Sequence, residues 1–222
     1  MTVRTAEVFA KLSLNVGILG DGERNAGNDV RRVGEEGLFE SLRDANTELF
    51  NACTFQDVVT TDPHSYNTLK HEYPALEGRR VLHYTELLDD LSRAGRLRFS
   101  KKLPYRVTYH DPCFLGRYNG VYEAPREILR ALVVELVEMP RNRANSFCCG
   151  AGGGRLWMEE AGGNGERPAE IRVAEAGRLE GVDTLVVACP KDYVMFSDAV
   201  KVKGLEGSLR VRDLIELVEE AL

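Results

Sequence analysis

Slid along itself, this sequence meets a weak second copy of its own plan, which limits the fold to one supersecondary unit used twice. Asp62-Pro63-His64-Ser65-Tyr66 lines up with Cys189-Pro190-Lys191-Asp192-Tyr193, each behind a β-branched run. Continued without a gap, the alignment sets Leu87, Leu88 and Leu91 on Leu214, Ile215 and Val218. Upstream, Asn25-Ala26-Gly27 falls on Cys148-Cys149-Gly150, and Arg32-Val33-Gly34-Glu35 on Arg172-Val173-Ala174-Glu175. Lys101, Lys102 and Pro104 interrupt the pattern, so residues 1–100 and 101–222 are expected to form the two halves.

Short β-branched runs alternate with longer stretches of helical period. Strands are predicted at 16–19, 57–61, around 79–84, at 106–109, 184–188 and 209–211. Helices are predicted over 34–50, 64–73, 86–94, 126–135, 168–179, 191–203 and 214–221, with Gly95, Gly181 and Gly204 as stops. The alternation assigns the chain to the α/β class, as two pseudo-repeated halves that each hold a small, largely parallel sheet flanked by helices.

An apolar content of 43% in 222 residues is enough for a buried core and excludes disorder as the main state. The net charge of -6, without a clustered basic stripe, argues against nucleic acid as a partner. No apolar run has the length to cross a bilayer, and the first 22 residues lack the regions of a signal peptide. The expectation is a cytoplasmic protein that reaches a membrane only at its periphery, through a larger assembly.

The repeat is lopsided in its chemistry. Positions that are Cys in the second half are Asn, Ala, Asp or missing in the first, so the first half is expected to hold no cluster ligands. The counterpart of Cys113 would fall before Met1, and the first half is read as starting partway through its unit. Five cysteines, two of them adjacent, fit no regular disulfide framework and point to a metal or redox site in a reducing compartment.

Cys113 and Cys189 each follow a predicted strand, and Cys148-Cys149 lie in a glycine-rich loop, so all four are expected at the carboxyl-end rim of the sheet. Pro190 suits a first helical turn, which makes Cys189 an N-cap whose thiol the helix dipole should acidify. Four sulfurs from three segments match an iron-sulfur cluster. Zinc competes, although a vicinal pair on one tetrahedral ion departs from the usual ligand spacing. Gly150 to Gly154 lack the residues of a phosphate cradle and are assigned to close backbone packing. Cys53 stands alone and reads as filler. His110 and Asp111 are candidates for work behind the ligands, with turn formation the plainer reading for Asp111. Asp62 and Ser65 read as helix N-terminal residues that kept a capping role. Arg117, Arg126, Arg143 and Arg155 could offset an anionic group, and Trp157 suits either the core or a partner contact.

The words YHDPCFLGRYNGVYEAPREIL, FCCGAGGGRLW and VVACPKDYVMFSDAV, with GNDVRRVGEEGLF and PHSYNTLKHEYP in the first half, resemble the cysteine-rich CCG-domain iron-sulfur proteins. That family is typified by the catalytic subunit of heterodisulfide reductase, with relatives among glycolate and lactate oxidase subunits. The resemblance implies cluster ligands at Cys113, Cys148, Cys149 and Cys189. It also implies a [4Fe-4S] cluster, of the noncubane kind where a fifth cysteine is present. Here the fifth position is Asp192, expected as an oxygen ligand or a first-turn carboxylate. The implied activity is electron transfer between a flavoprotein or ferredoxin and a disulfide, quinone or other acceptor, alongside other redox subunits, one of them a membrane subunit. The alternative is a non-catalytic assembly subunit with a structural zinc or cluster.

Overall fold

The computed structural model describes residues 2–158 and 165–222. In chain order its elements are α1 (Thr2–Lys11), α2 (Asn28–Arg32), α3 (Glu36–Ala52), β1 (Asp57–Thr60), α4 (Pro63–His71), β2 (Arg80–His83) and α5 (Tyr84–Arg93). There follow β3 (Leu103–Tyr109), α6 (Glu123–Leu132), β4 (Val133–Leu136), α7 (Pro168–Ala176), β5 (Thr184–Val187), α8 (Pro190–Val202), β6 (Arg210–Asp213) and α9 (Leu214–Ala221). β1 and β2 form one parallel sheet, and a second parallel sheet runs in the order β4-β3-β5-β6. The chain is α/β with two small parallel sheets flanked by helices, as the alternating pattern implied.

The internal repeat is visible as β1-α4-β2-α5 and again as β5-α8-β6-α9. Its local causes recur too. Asp62 and Cys189 are the N-caps of α4 and α8, each followed by a proline where no N–H is needed. His83 and Asp213 are the N-caps of α5 and α9, each in a capping box with a glutamate three residues on, Glu86 and Glu216. These caps correct the gapless alignment, because the second copy is three residues longer between its two caps. Tyr84, not Leu87, is therefore the counterpart of Leu214. Likewise Arg32–Glu35 lie at the end of α2 and the following turn, whereas Arg172–Glu175 lie within α7. The helix that leads into β1 is α3.

β5 is buried along its whole length, as a central strand covered on both faces must be, and Thr184-Leu185-Val186-Val187 supplies the short side chains for it. The largest core cluster lies among α1, α5, α6, α9 and β3, with Val8, Leu88, Val107, Ile128, Leu129 and Leu217 fully buried in it. Helix α6 packs against both α5 and α9, and α1 packs against α9, so residues of both halves share one core.

Two expectations fail, and one element was not foreseen. The helix predicted to 135 ends at Leu132, where Val133 and Val134 turn into β4 and pair with β3. The predicted strand at 16–19 finds no partner, and Val16 and Ile18 are exposed. Helix α1, not foreseen, buries Val8 and Phe9. No helix among the described residues is long and apolar enough to cross a membrane.

Candidate metal centre

β4, β3 and β5 are neighbours, so the loops at their carboxyl ends open on one rim. Cys113 lies in the turn after β3, Cys148 and Cys149 in the long connection after β4, and Cys189 directly after β5. The Cys148 side chain interacts with those of both Cys113 and Cys149, and Cys149 in turn with the Asp192 carboxyl. Two backbone groups point at this chain of donors. The N–H of Gly150 donates to Cys148 Sγ at 3.4 Å, and that of Ala151 to Cys149 Sγ at 3.5 Å. Gly150 can do so because its φ of +88° turns the loop, and a Cβ there would press on Pro168 at 3.2 Å.

These neighbours split the thiols. Cys113 and Cys149 beside it hold the Cys148 thiol well below its ordinary range, against burial, while interaction with Cys148 together with burial pushes Cys113 and Cys149 up. Cys189 is an N-cap, and the N–H groups of Lys191 and Asp192 favour its thiolate. Burial nevertheless dominates and raises its pKa well above the ordinary value, so the expected acidification by the helix is overruled. Among the four sulfurs, Cys148 is thus the one whose thiolate the surroundings favour.

Asp192, in the first turn of α8, is only 2% exposed, and burial raises its carboxyl to about 7. Its Oδ2 has no hydrogen-bond partner among the described residues. His110 Nε2 is 3.5 Å away. His110 Nδ1 accepts from Arg172 Nε at 3.1 Å, and a guanidinium only donates, so the ring proton sits on Nε2, facing Asp192. Burial first, then the Arg172 charge, keeps this histidine neutral far below its usual pKa. Asp111 is engaged by arginines instead. It takes both nitrogens of the buried Arg126 at 2.6 and 2.9 Å and the N–H of Arg143 at 2.7 Å, which makes it a structural anchor.

The first half also reaches the site, which its lack of cysteines did not suggest. Asp62 caps α4 as expected, accepting from the N–H groups of His64 and Ser65 and from Ser65 Oγ. It also accepts from His64 Nδ1 at 3.0 Å. Burial works against this carboxylate, but His64 and Ser65 overcome it and hold its pKa far below the ordinary value. Ligand-capable atoms of Asp62, His64 and Cys189 lie within 4.8 Å of one another. The sequence signal was the alignment of Asp62-Pro63-His64 with Cys189-Pro190-Lys191, which by itself suggests only a degenerate cap.

The loop geometry repeats even where the sulfurs do not. Gly27 has the same φ of +88° as Gly150, and its N–H donates to Asn25 Oδ1 at 2.7 Å, as that of Gly150 does to Cys148 Sγ. The remaining candidates divide. Arg117 favours the Cys113 thiolate and donates to Ser146 O at 2.5 Å. Arg126 and Arg143 are engaged by Asp111, Glu138 and Glu123. Cys53 ends α3. Trp157 is 77% exposed with its Nε1 donating to Asp29, so it is not a core residue.

Cysteines from three loops of one rim, a carboxyl oxygen left without a partner, and N–H groups aimed at sulfur fit a thiolate-bound metal group. Residues 107–197 match the family model of the cysteine-rich domain, CCG. The chain is similar to the probable iron-sulfur-binding oxidoreductase FadF of Bacillus subtilis, at 43% identity over 96% of this chain and 31% of the relative. It is similar to the EtfAB:quinone oxidoreductase of Syntrophomonas wolfei at 38% identity, over 96% of this chain and 30% of the relative. A third similar protein is a component of the dihydromethanophenazine:CoB-CoM heterodisulfide reductase of Methanosarcina barkeri, at 34% identity over 98% of this chain and 54% of the relative. The chain thus spans about a third to a half of the length of these relatives.

Proposed function

We propose, from the match of residues 107–197 to the cysteine-rich domain family, that the chain is an iron-sulfur electron-transfer module. Its ligands in this reading are Cys113, Cys148, Cys149 and Cys189, with Asp192 offering an oxygen where the family pattern has a fifth sulfur. The cluster is of the [4Fe-4S] type. When bound, such a cluster takes up and releases one electron at a time.

The chain's own residues prepare for it. Cys113 and Cys149 favour the thiolate of Cys148, the form in which a cysteine binds metal. The N–H groups of Gly150 and Ala151 offset negative charge on sulfur, which favours the reduced state. Burial of Cys149 and Cys189 keeps water from the far side. Electrons would pass from a flavoprotein or ferredoxin to a quinone or disulfide within a complex of redox subunits, and the quinone and heterodisulfide in the names of two relatives support the acceptor side. The module is cytoplasmic and meets the membrane only through that complex.

The observation that carries this reading is the interaction of Cys113 with Cys148 across two loops of one rim, continued to Cys149 and Asp192. Iron and acid-labile sulfide analysis of the anaerobically purified chain tests it. The expected result is about four of each per chain. Zinc without sulfide would overturn it in favour of a structural metal.

A further inference from the structure

His64 is the place where the two halves meet at the metal centre. It stands on the first turn of α4, outside the cysteine-bearing half, and yet it lies beside all three cysteine-bearing segments. Its ring packs on Phe114, the residue after Cys113, with centroids 4.5 Å apart. Its Nε2 lies against Gly152, 3.8 Å from where a Cβ at that position would stand, in the loop that carries Cys148 and Cys149. With Asp62 it falls within 4.8 Å of Cys189.

The ring is 4% exposed and its Nε2 has no hydrogen-bond partner among the described residues. A buried polar atom left unpaired is costly, which favours a partner at this position. Asp62 decides what kind. An ionised carboxylate only accepts, so the Asp62 oxygen 3.0 Å from Nδ1 holds the ring proton there. Nε2 is then left with an open lone pair. A carboxylate behind one nitrogen and a bare second nitrogen is the arrangement of a metal-ligating histidine. His110 is the reverse case, because Arg172 donates to its Nδ1 and forces the proton onto the nitrogen that faces Asp192.

We propose that His64 of the first half supplies a nitrogen ligand to the metal group held by the cysteines of the second, with Asp62 fixing its tautomer. The centre is then of mixed sulfur and nitrogen ligation, closed by residues from both copies of the repeat. The inference rests on the iron-sulfur reading above, and the two fail separately.

The test is pulsed electron paramagnetic resonance on the 222-residue chain, reconstituted anaerobically, reduced, and grown with 15N-labelled histidine. The expected result is a histidine nitrogen coupling in the unaltered chain. It should be lost in His64→Ala and in His64→Gln, and kept in His71→Ala, which removes an exposed histidine bonded to Asn119. A shift of the visible absorption should accompany its loss. A chain that binds iron and sulfide but shows no histidine coupling, or keeps it in both His64 variants, overturns the ligand assignment and leaves the cluster standing. A chain that takes up neither iron nor sulfide overturns both.

Discussion

The Tyr84 hydroxyl donates to Asp213 Oδ1 at 2.8 Å, with both side chains buried and 129 positions apart in sequence. Tyr84 opens α5, and Asp213 caps α9, so the bond ties the equivalent helix starts of the two copies. Tyr84→Phe removes the donor and leaves a buried carboxyl one partner short. A loss of about 1–3 kcal/mol is expected, read as a lower urea midpoint with an unchanged m-value.

Burial raises the Asp213 carboxyl to about 7, against the pull of the Ile215 N–H and the Tyr84 hydroxyl. Its folded pKa thus lies above the ordinary value of 3.8, and the folded state holds the proton more tightly than the unfolded one. The contribution is fully present below about pH 4 and is lost as pH rises through 7. Asp213→Asn keeps the capping oxygen and removes the titration. The variant's stability relative to the unaltered chain should therefore rise across that window by up to about 1.4 kcal/mol per pH unit, measured by urea titrations between pH 4 and 8.

Gly27 and Gly34 both have positive φ, at +88° and +95°. A Cβ at Gly27 would stand 2.7 Å from Phe39 Cδ2, whereas one at Gly34 meets nothing within 4 Å. Gly34→Ala should cost only the backbone strain, about 1–2 kcal/mol. Gly27→Ala should cost clearly more, because Phe39 is fully buried and has little room to move. Paired thermal melts decide it, and equal costs would contradict the packing.

Arg126 is wholly buried between Asp111 and Glu138. Arg126→Met fills the volume but strands Asp111 without its countercharge. Such a break costs about 3–5 kcal/mol, and the turn that carries Cys113 should loosen with it. Chemical denaturation measures the first effect, and iron content after reconstitution the second.

Serine at Cys148 or Cys189 should abolish the visible absorbance of the reconstituted chain, while Cys53→Ser should leave it unchanged. Equal loss in all three would contradict the ligand set. Asp192→Cys supplies a fifth sulfur and should alter the electron paramagnetic resonance signal.

The cysteine turns were legible because each lies beside a Gly or Pro, and neighbouring parallel strands bring such turns to one rim. The failures have local causes. Arg126 to Glu135 keeps a helical period through Val133 and Val134, and only pairing with β3, a long-range event, decides for a strand. The three extra residues between the caps of the second copy leave no mark on a gapless comparison. His64 was hidden for a different reason. Its sequence position announces a helix start, and its role depends on Phe114, Gly152 and Cys189, which only the folded chain sets around it.

Asn25 makes with oxygen, at Gly27, the contact that Cys148 makes with sulfur at Gly150, and the two glycines share one backbone angle. A turn that closes equally well around an amide owes nothing to an inorganic guest. The vicinal pair is accordingly preorganised in the apoprotein, so loading demands little rearrangement of the polypeptide there.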